Sequence, residues 1–410
     1  MKKILVISLI MFLSAISLFA NEKVDETYSK LFEKEFKEAA AKEIFAKSFL
    51  KMVPENKILE ILKIYSDTLG KFSSVDKSKT PFKLNFEKGF ANSTIGFDKD
   101  GKINTLWFGA PELAKDSLDE VLQLFKDVKG KVSVCLLKNN TEPVIELNAD
   151  EQLGVGSSFK LYVLKALKNQ IKEGKRSWKD LVEISNSSRS FPSGILQDWP
   201  QGMSLTIESL AALMISLSDN TATDHLFNLV GREEMTKIFP TSFKPAFNTF
   251  EMFKLKIFFP EEGKKFVAAK KEVERIKILE GLAGFHAGDI ASASVIMDWK
   301  EPKMIDELEW FISTRELCNI IFELKDLDLL TINPAYGLVD KKDWKRVCFK
   351  GGSEPGVLNF TWFLQPKEGE DFYTLSCTFN NPKSVEKPSD FEMAASRLIK
   401  LIAKQNSQVH

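Results

Sequence analysis

Gly154-Val155-Gly156-Ser157-Ser158-Phe159-Lys160 is the stretch on which the fold turns. Two glycines feed a hydroxyl and an amine, three residues apart, into an amphipathic helix predicted over Leu161 to Ile171. Residues at i and i+3 share a helix face, so the Ser157 and Lys160 side chains can touch. A serine hydroxyl is a weak nucleophile until a base removes its proton, and a lysine whose pKa is lowered by burial and neighbouring cations can be that base. Spacing alone selects nothing, because Ser-x-x-Lys also occurs at Ser48, Ser74 and Ser384. Context sets Ser157 apart: a glycine turn before it and an apolar helix after it place it at a helix start, where backbone N–H groups lack intrahelical partners. The competing reading is an ordinary helix cap.

Two further runs follow. Ser218-Asp219-Asn220 succeeds the apolar segment Leu210 to Leu217 and, taken alone, reads as a capped helix-to-helix turn. Lys350-Gly351-Gly352 ends the strand-like Val347-Cys348-Phe349, and its glycines either let backbone approach a ligand or simply mark a strand end. In this order the three runs resemble the motifs of the penicillin-recognising serine hydrolases, specifically class A β-lactamases, whose set is Ser-x-x-Lys, Ser-Asp-Asn and Lys-Thr-Gly. The resemblance covers roughly residues 130–405.

It implies an α+β fold of the β-lactamase/transpeptidase type, an antiparallel sheet beside an all-helical domain. It also implies roles: Ser157 the acylated nucleophile, Lys160 a general base, Ser218 a proton relay towards the leaving nitrogen, and Asn220 a contact to substrate or Lys160. Lys350 would offer positive charge to a substrate carboxylate. Gly352 and Ser353 would belong to the edge-strand run that binds substrate, with the backbone N–H groups of Ser157 and Ser353 as an oxyanion hole worth ~3 kcal/mol per donor. Two departures stand out. Gly351 replaces the family's hydroxyl residue, and the Glu-x-x-Leu-Asn loop that carries the deacylation base is not legible. Glu251, in Phe250-Glu251-Met252-Phe253, is the nearest candidate for that base; otherwise it opens a helix.

The flanks carry their own signals. Lys2 and Lys3 precede an apolar run from Ile4 to Phe19, with Ala20 before polar residues, which reads as a signal peptide over residues 1–20. Leu18 is larger than the usual small residue near a cleavage point, so an uncleaved anchor is the alternative. The expected location is exported, periplasmic or secreted, without stable membrane insertion once the leader is removed. Residues 22–125 read as a small α+β module: helices to about residue 67, then short alternating runs with Asp98-Lys99-Asp100-Gly101 as a hairpin turn. Its end, Leu106-Trp107-Phe108-Gly109, resembles the close of the ketosteroid-isomerase-like domain in a subgroup related to the cephalosporin esterase of clavulanic acid biosynthesis. No acid and base set is recognisable there, which suggests packing or substrate gating, with a ligand pocket left open. From residue 130 two strand runs, a helical middle, three strand runs near the end and a last helix follow one another.

Composition narrows the partners. Fifty-seven basic residues balance 57 acidic ones, which argues against recognition of a nucleic acid through phosphate. Of the four cysteines, Cys135, Cys348 and Cys377 sit in apolar strand-like runs and read as small hydrophobes; a disulfide is neither demanded nor excluded. With His225, His286 and His410 as the only histidines, neither a protein metal site nor a cofactor is expected. The function expected is an exported serine acyl hydrolase that forms a Ser157 ester on a small molecule, foremost a β-lactam, with β-lactam breakdown and antibiotic resistance as consequences. An esterase, a peptidoglycan peptidase and a lactam-binding sensor without turnover are the rivals. Oligomeric state is not legible.

Overall fold

The computed structural model describes residues 23–33, 36–109, 111–113, 117–240, 244–287, 299–335, 337–383 and 389–407. The expected leader, Ser384 and His410 lie outside the described residues. The chain divides into two compact units, residues 1–124 with 389–401 and residues 125–388 with 402–410. The last helix, Ser389–Ser407, is therefore shared, whereas the sequence reading gave it wholly to the second unit.

In the first unit a helix over 23–31 and the helices Glu38–Ile44, Lys47–Met52 and Glu55–Leu69 accompany an antiparallel sheet of Phe72–Asp76, Phe82–Phe86, Gly89–Phe97 and Ile103–Phe108, with Glu112–Leu113 pairing at the start of the third strand. Glu55–Leu69 buries Ile58, Leu62, Tyr65 and Leu69, a stripe at helical spacing. The Tyr65 hydroxyl satisfies itself by donating to the Gly109 carbonyl at 2.7 Å. The hairpin turn forms where expected: Asp98 Oδ1 accepts from the N–H groups of Asp100 and Lys102, closing the chain on itself between two paired strands.

The second unit is built on an antiparallel sheet in the order Trp344–Glu354, Val357–Pro366, Tyr373–Asn380, Lys131–Lys138 and Glu142–Leu147, so both chain ends of the unit enter one sheet. Asn139 and Asn140, both at positive φ, make the tight turn between the last two strands in this order. Val357–Pro366 and Tyr373–Asn380 are buried almost throughout, as strands covered on both faces must be. The intervening chain supplies helices Lys160–Lys172, Ile207–Ser216, Asn220–Val230 and Arg232–Ile238, whose apolar faces share one core with Trp310, Cys348 and Phe363. All four cysteines are buried and unbridged, three in strands and Cys318 in the helix Thr314–Leu324.

Candidate active site

Ser157 lies in a 3₁₀ turn, Gly156–Phe159, that runs straight into the helix starting at Lys160. The turn is pinned to the sheet by its neighbour. Ser158 donates its hydroxyl to Asn359 Oδ1 at 2.5 Å, and Asn359 in turn donates to Cys377 O and Thr378 Oγ1 on the central strand. These groups are fully buried, so the network fixes the turn rather than merely solvating it. On the other side the edge strand presses close. A Cβ at Gly352 would meet Val155 O at 2.0 Å and the backbone nitrogens of Ser157 and Ser158 at 2.6 and 2.7 Å, so only glycine lets Trp344–Glu354 lie against the nucleophile turn. That approach brings Ser353, the next residue, to the pocket that Ser157 also lines.

The ammonium of Lys160 is fully buried. It donates to Ser218 O and Asn220 Oδ1, each at 2.6 Å, and to Ser218 Oγ at 3.2 Å. Lys350 Nζ reaches the same hydroxyl at 3.1 Å and also donates to Gly351 O. Ser218 is thus bridged between two lysines. Burial, reinforced by the like charge of Lys350, holds the Lys160 ammonium well below its ordinary 10.5, against the weaker pull of Asp219 and Asp224. Burial alone pushes Lys350 down to about 7.

The Ser-Asp-Asn run owes its shape to strain that its surroundings hold. Ser218 sits at φ +56, in the left-handed region that a serine seldom occupies. Its carbonyl is fixed by Lys160 and by the Ser193 hydroxyl at 2.7 Å. Asp219 caps the helix Asn220–Val230 through Ala222 N–H, and its second oxygen takes the N–H groups of Ile195 and Leu196. Asn220 donates to Phe191 O, and its own N–H reaches Ser193 O at 2.9 Å. The loop near Ser193 therefore holds the motif in place, a role that no local pattern announced.

A cavity of about 590 Å³ opens beside Ser157. Asn220, Ser353 and Gly156 line it with Pro192, Ser193 and Thr249, and Phe253, Trp299 and Trp310 give it aromatic walls. Trp310 stacks on Phe159 at 3.9 Å between centroids. The structure thus brings Ser157, Lys160, Ser218, Asn220, Lys350, Gly352 and Ser353 together. Glu251 pairs with other residues. Its carboxylate accepts from Asn248 N–H in a capping box and forms a two-pronged ion pair with Arg232, at 2.5 and 3.0 Å. The reading in which Glu251 opens a helix is the one the geometry supports, and its oxygens are already committed. Gly351 also has a local reason: a Cβ there would meet the Phe349 ring at 2.8 Å, so aromatic bulk occupies the space of the expected hydroxyl residue. Of the other Ser-x-x-Lys matches, Ser48 lies in a short helix and Ser74 in a strand of the first unit.

The motifs and fold are similar to those of class A β-lactamase-like serine hydrolases, and residues 114–245 match the model of the "Beta-lactamase enzyme family". Among individual proteins, the chain is similar to β-lactamase VEB-1 of Pseudomonas aeruginosa, with 25% identity over 123 residues, 29% of this chain and 41% of that relative. The matched segment is thus about two fifths of the curated relative's length. Solved structures with similarity include a β-lactamase from Sphaerobacter thermophilus (17% identity, 72% of this chain and 98% of that one, TM-score 0.48) and PBP-A (15%, 70% and 95%, TM-score 0.46).

Proposed function

We propose that the protein is exported and acylates Ser157 with β-lactams, Lys160 serving as the base and Ser218 carrying the proton to the lactam nitrogen. The observation that carries this reading is the bridge in which one Ser218 hydroxyl lies within hydrogen-bond distance of both Lys160 and Lys350, beside a pocket lined by Ser157. A neutral Lys160 amine accepts the Ser157 proton as its oxygen attacks the carbonyl carbon; the oxyanion is met by the Ser157 and Ser353 N–H groups. Ser218 then protonates the departing nitrogen and is reprotonated from Lys160. Lys350, still cationic at or below about pH 7, faces the substrate carboxylate.

Two observations favour a second reading, slow release of the acyl group and hence lactam binding rather than rapid hydrolysis. Glu251 is committed to Arg232 and its capping box, and Gly351 offers no carboxylate-binding hydroxyl, a Cβ there meeting the Phe349 ring at 2.8 Å. Stopped-flow mixing with a chromogenic cephalosporin separates the two. Rapid hydrolysis gives continuous turnover, trapping gives a burst of one equivalent followed by a slow phase, and no colour change at either stage rejects the lactam reading.

A further inference from the structure

Lys256, Glu309 and Glu354 form a second charged cluster in the same unit, and the steps above do not use it. Lys256 Nζ donates to Glu309 Oε1 and, at 2.6 Å, to Glu354 Oε1. The side chains of Lys256 and Glu309 are fully buried and that of Glu354 is 8% exposed. One ammonium between two carboxylates would leave a net negative charge in the interior, an arrangement relieved when the carboxyl pair keeps one proton. Burial, and then the neighbouring Glu309, push the Glu354 carboxyl well above the usual carboxylate range.

Glu354 lines the pocket, and Lys256 and Glu309 belong to two other segments that contribute lining residues to it. Lys256 belongs to the π-helical turn Lys254–Phe258, which continues the helix Thr249–Phe253, and both Thr249 and Phe253 line the cavity. Glu309 precedes Trp310 and accepts its N–H at 3.2 Å, while Trp310 O accepts from Val155 N–H, two residues before Ser157. Glu354 directly follows Ser353 and itself lines the cavity. Trp299, another lining residue, lies 5.7 Å from the Lys256 ammonium.

We propose that Lys256, Glu309 and Glu354 act as a positioning clamp that holds these walls in register and fixes the Ser353 N–H for the oxyanion. The inference rests on the reading that Ser157 is acylated with Ser353 as the second donor. No bond to substrate forms or breaks in the cluster; one proton stays between Glu354 and Glu309, and Lys256 keeps its charge. Among the described residues, the charged groups in contact with Glu354 are Lys256 and Glu309, and Lys300 shares the pocket lining.

The test compares full-length wild type with Glu354→Gln, Glu354→Ala and Lys256→Met by infrared spectroscopy and by Ser157 labelling with a fluorescent penicillin. The wild type should show the carbonyl band of a protonated buried carboxylic acid, and Glu354→Gln should remove it. Glu354→Gln, a neutral group of the same shape, should label within about 3-fold of wild type. Glu354→Ala and Lys256→Met should slow the acylation step by at least ~10-fold with little change in initial penicillin affinity, as a displaced oxyanion donor would. A missing band in wild type, an unimpaired Glu354→Ala, or a Glu354→Gln as slow as Glu354→Ala each overturns the clamp. If wild type does not label at all, the acylation reading fails by itself, and amide exchange then decides the clamp. Exchange at Ser353 and Trp310 should quicken in Glu354→Ala and not in Glu354→Gln, and equal exchange in all three proteins overturns it.

Discussion

Lys160 and Lys256 are both lysines buried to the same degree in one unit, and they are opposites in chemistry. Lys160 is met by a carbonyl, an amide oxygen and a hydroxyl, with Lys350 nearby, so burial and like charge drive it towards the neutral amine. Lys256 suffers the same burial, yet the negative charge shared by the Glu309 and Glu354 carboxyl pair outweighs it and holds the ammonium above its ordinary value. Burial alone therefore does not make a base. What separates a proton acceptor from a structural cation is whether the oxygens around it carry charge.

The largest effect is expected at Lys160. Lys160→Ala should cut acylation by roughly 10²- to 10⁴-fold, the range expected for a positioned proton-transfer group. Lys160→Arg should be nearly as damaging, since guanidinium does not give up its proton in this range. Single-turnover labelling rates on folded protein check both.

Asn220→Asp narrows the difference between the two lysines, by giving Lys160 the kind of neighbour Lys256 has. A carboxylate at that distance raises an amine pKa by roughly 1 to 3 units, so acylation should fall by ~10- to 1,000-fold near neutrality. The rate should climb about tenfold per pH unit towards the alkaline side as the amine is recovered, which a pH series of labelling rates measures. A flat profile would place the base elsewhere.

A smaller effect concerns Lys350. Its pKa of about 7 means the ammonium is present below that pH and lost above it, so the free protein should bind a carboxylate-bearing lactam less well as pH rises through 7. Lys350→Arg should move that loss to higher pH, because guanidinium keeps its charge. KM, or the initial Kd, measured across the range is the check.

The smallest effect is expected at Glu251. Glu251→Gln should leave acylation and release rates unchanged and cost about 1 kcal/mol of stability, the scale of one helix cap with a partly exposed ion pair. Denaturant unfolding and a release time course measure the two separately. A variant that accumulates adduct beyond wild type would restore Glu251 as a base.

The parts of this site that were legible in the sequence are those where residue type and local pattern coincide. Ser157 and Lys160 follow a glycine turn into an amphipathic helix, and Gly352 was legible as a point of close approach, though to a ligand and not to the nucleophile turn it packs against. The two-ended sheet was also readable from strand-like runs on either side of a helical middle. The contacts that hold the motifs were not readable, because they join distant residues. Ser158 meets Asn359, Ser193 meets Ser218, and Lys256 meets Glu309 and Glu354. Glu251 shows the converse. Its position suggested a base, yet Asn248 three residues earlier is a capping-box signal that already accounted for it. The aromatic lining from Phe253, Trp299 and Trp310 comes from three separated segments, so no window of sequence displays it.

Every role assigned to Lys160, Ser218 and Ser353 depends on Ser157 carrying the acyl group. Intact-protein mass, followed over time after mixing with penicillin, should show one adduct of the full penicillin mass on wild type, mapping to the peptide that holds Ser157, and none on Ser157→Ala. An adduct that persists in Ser157→Ala, or maps to another serine such as Ser48, would contradict that assignment.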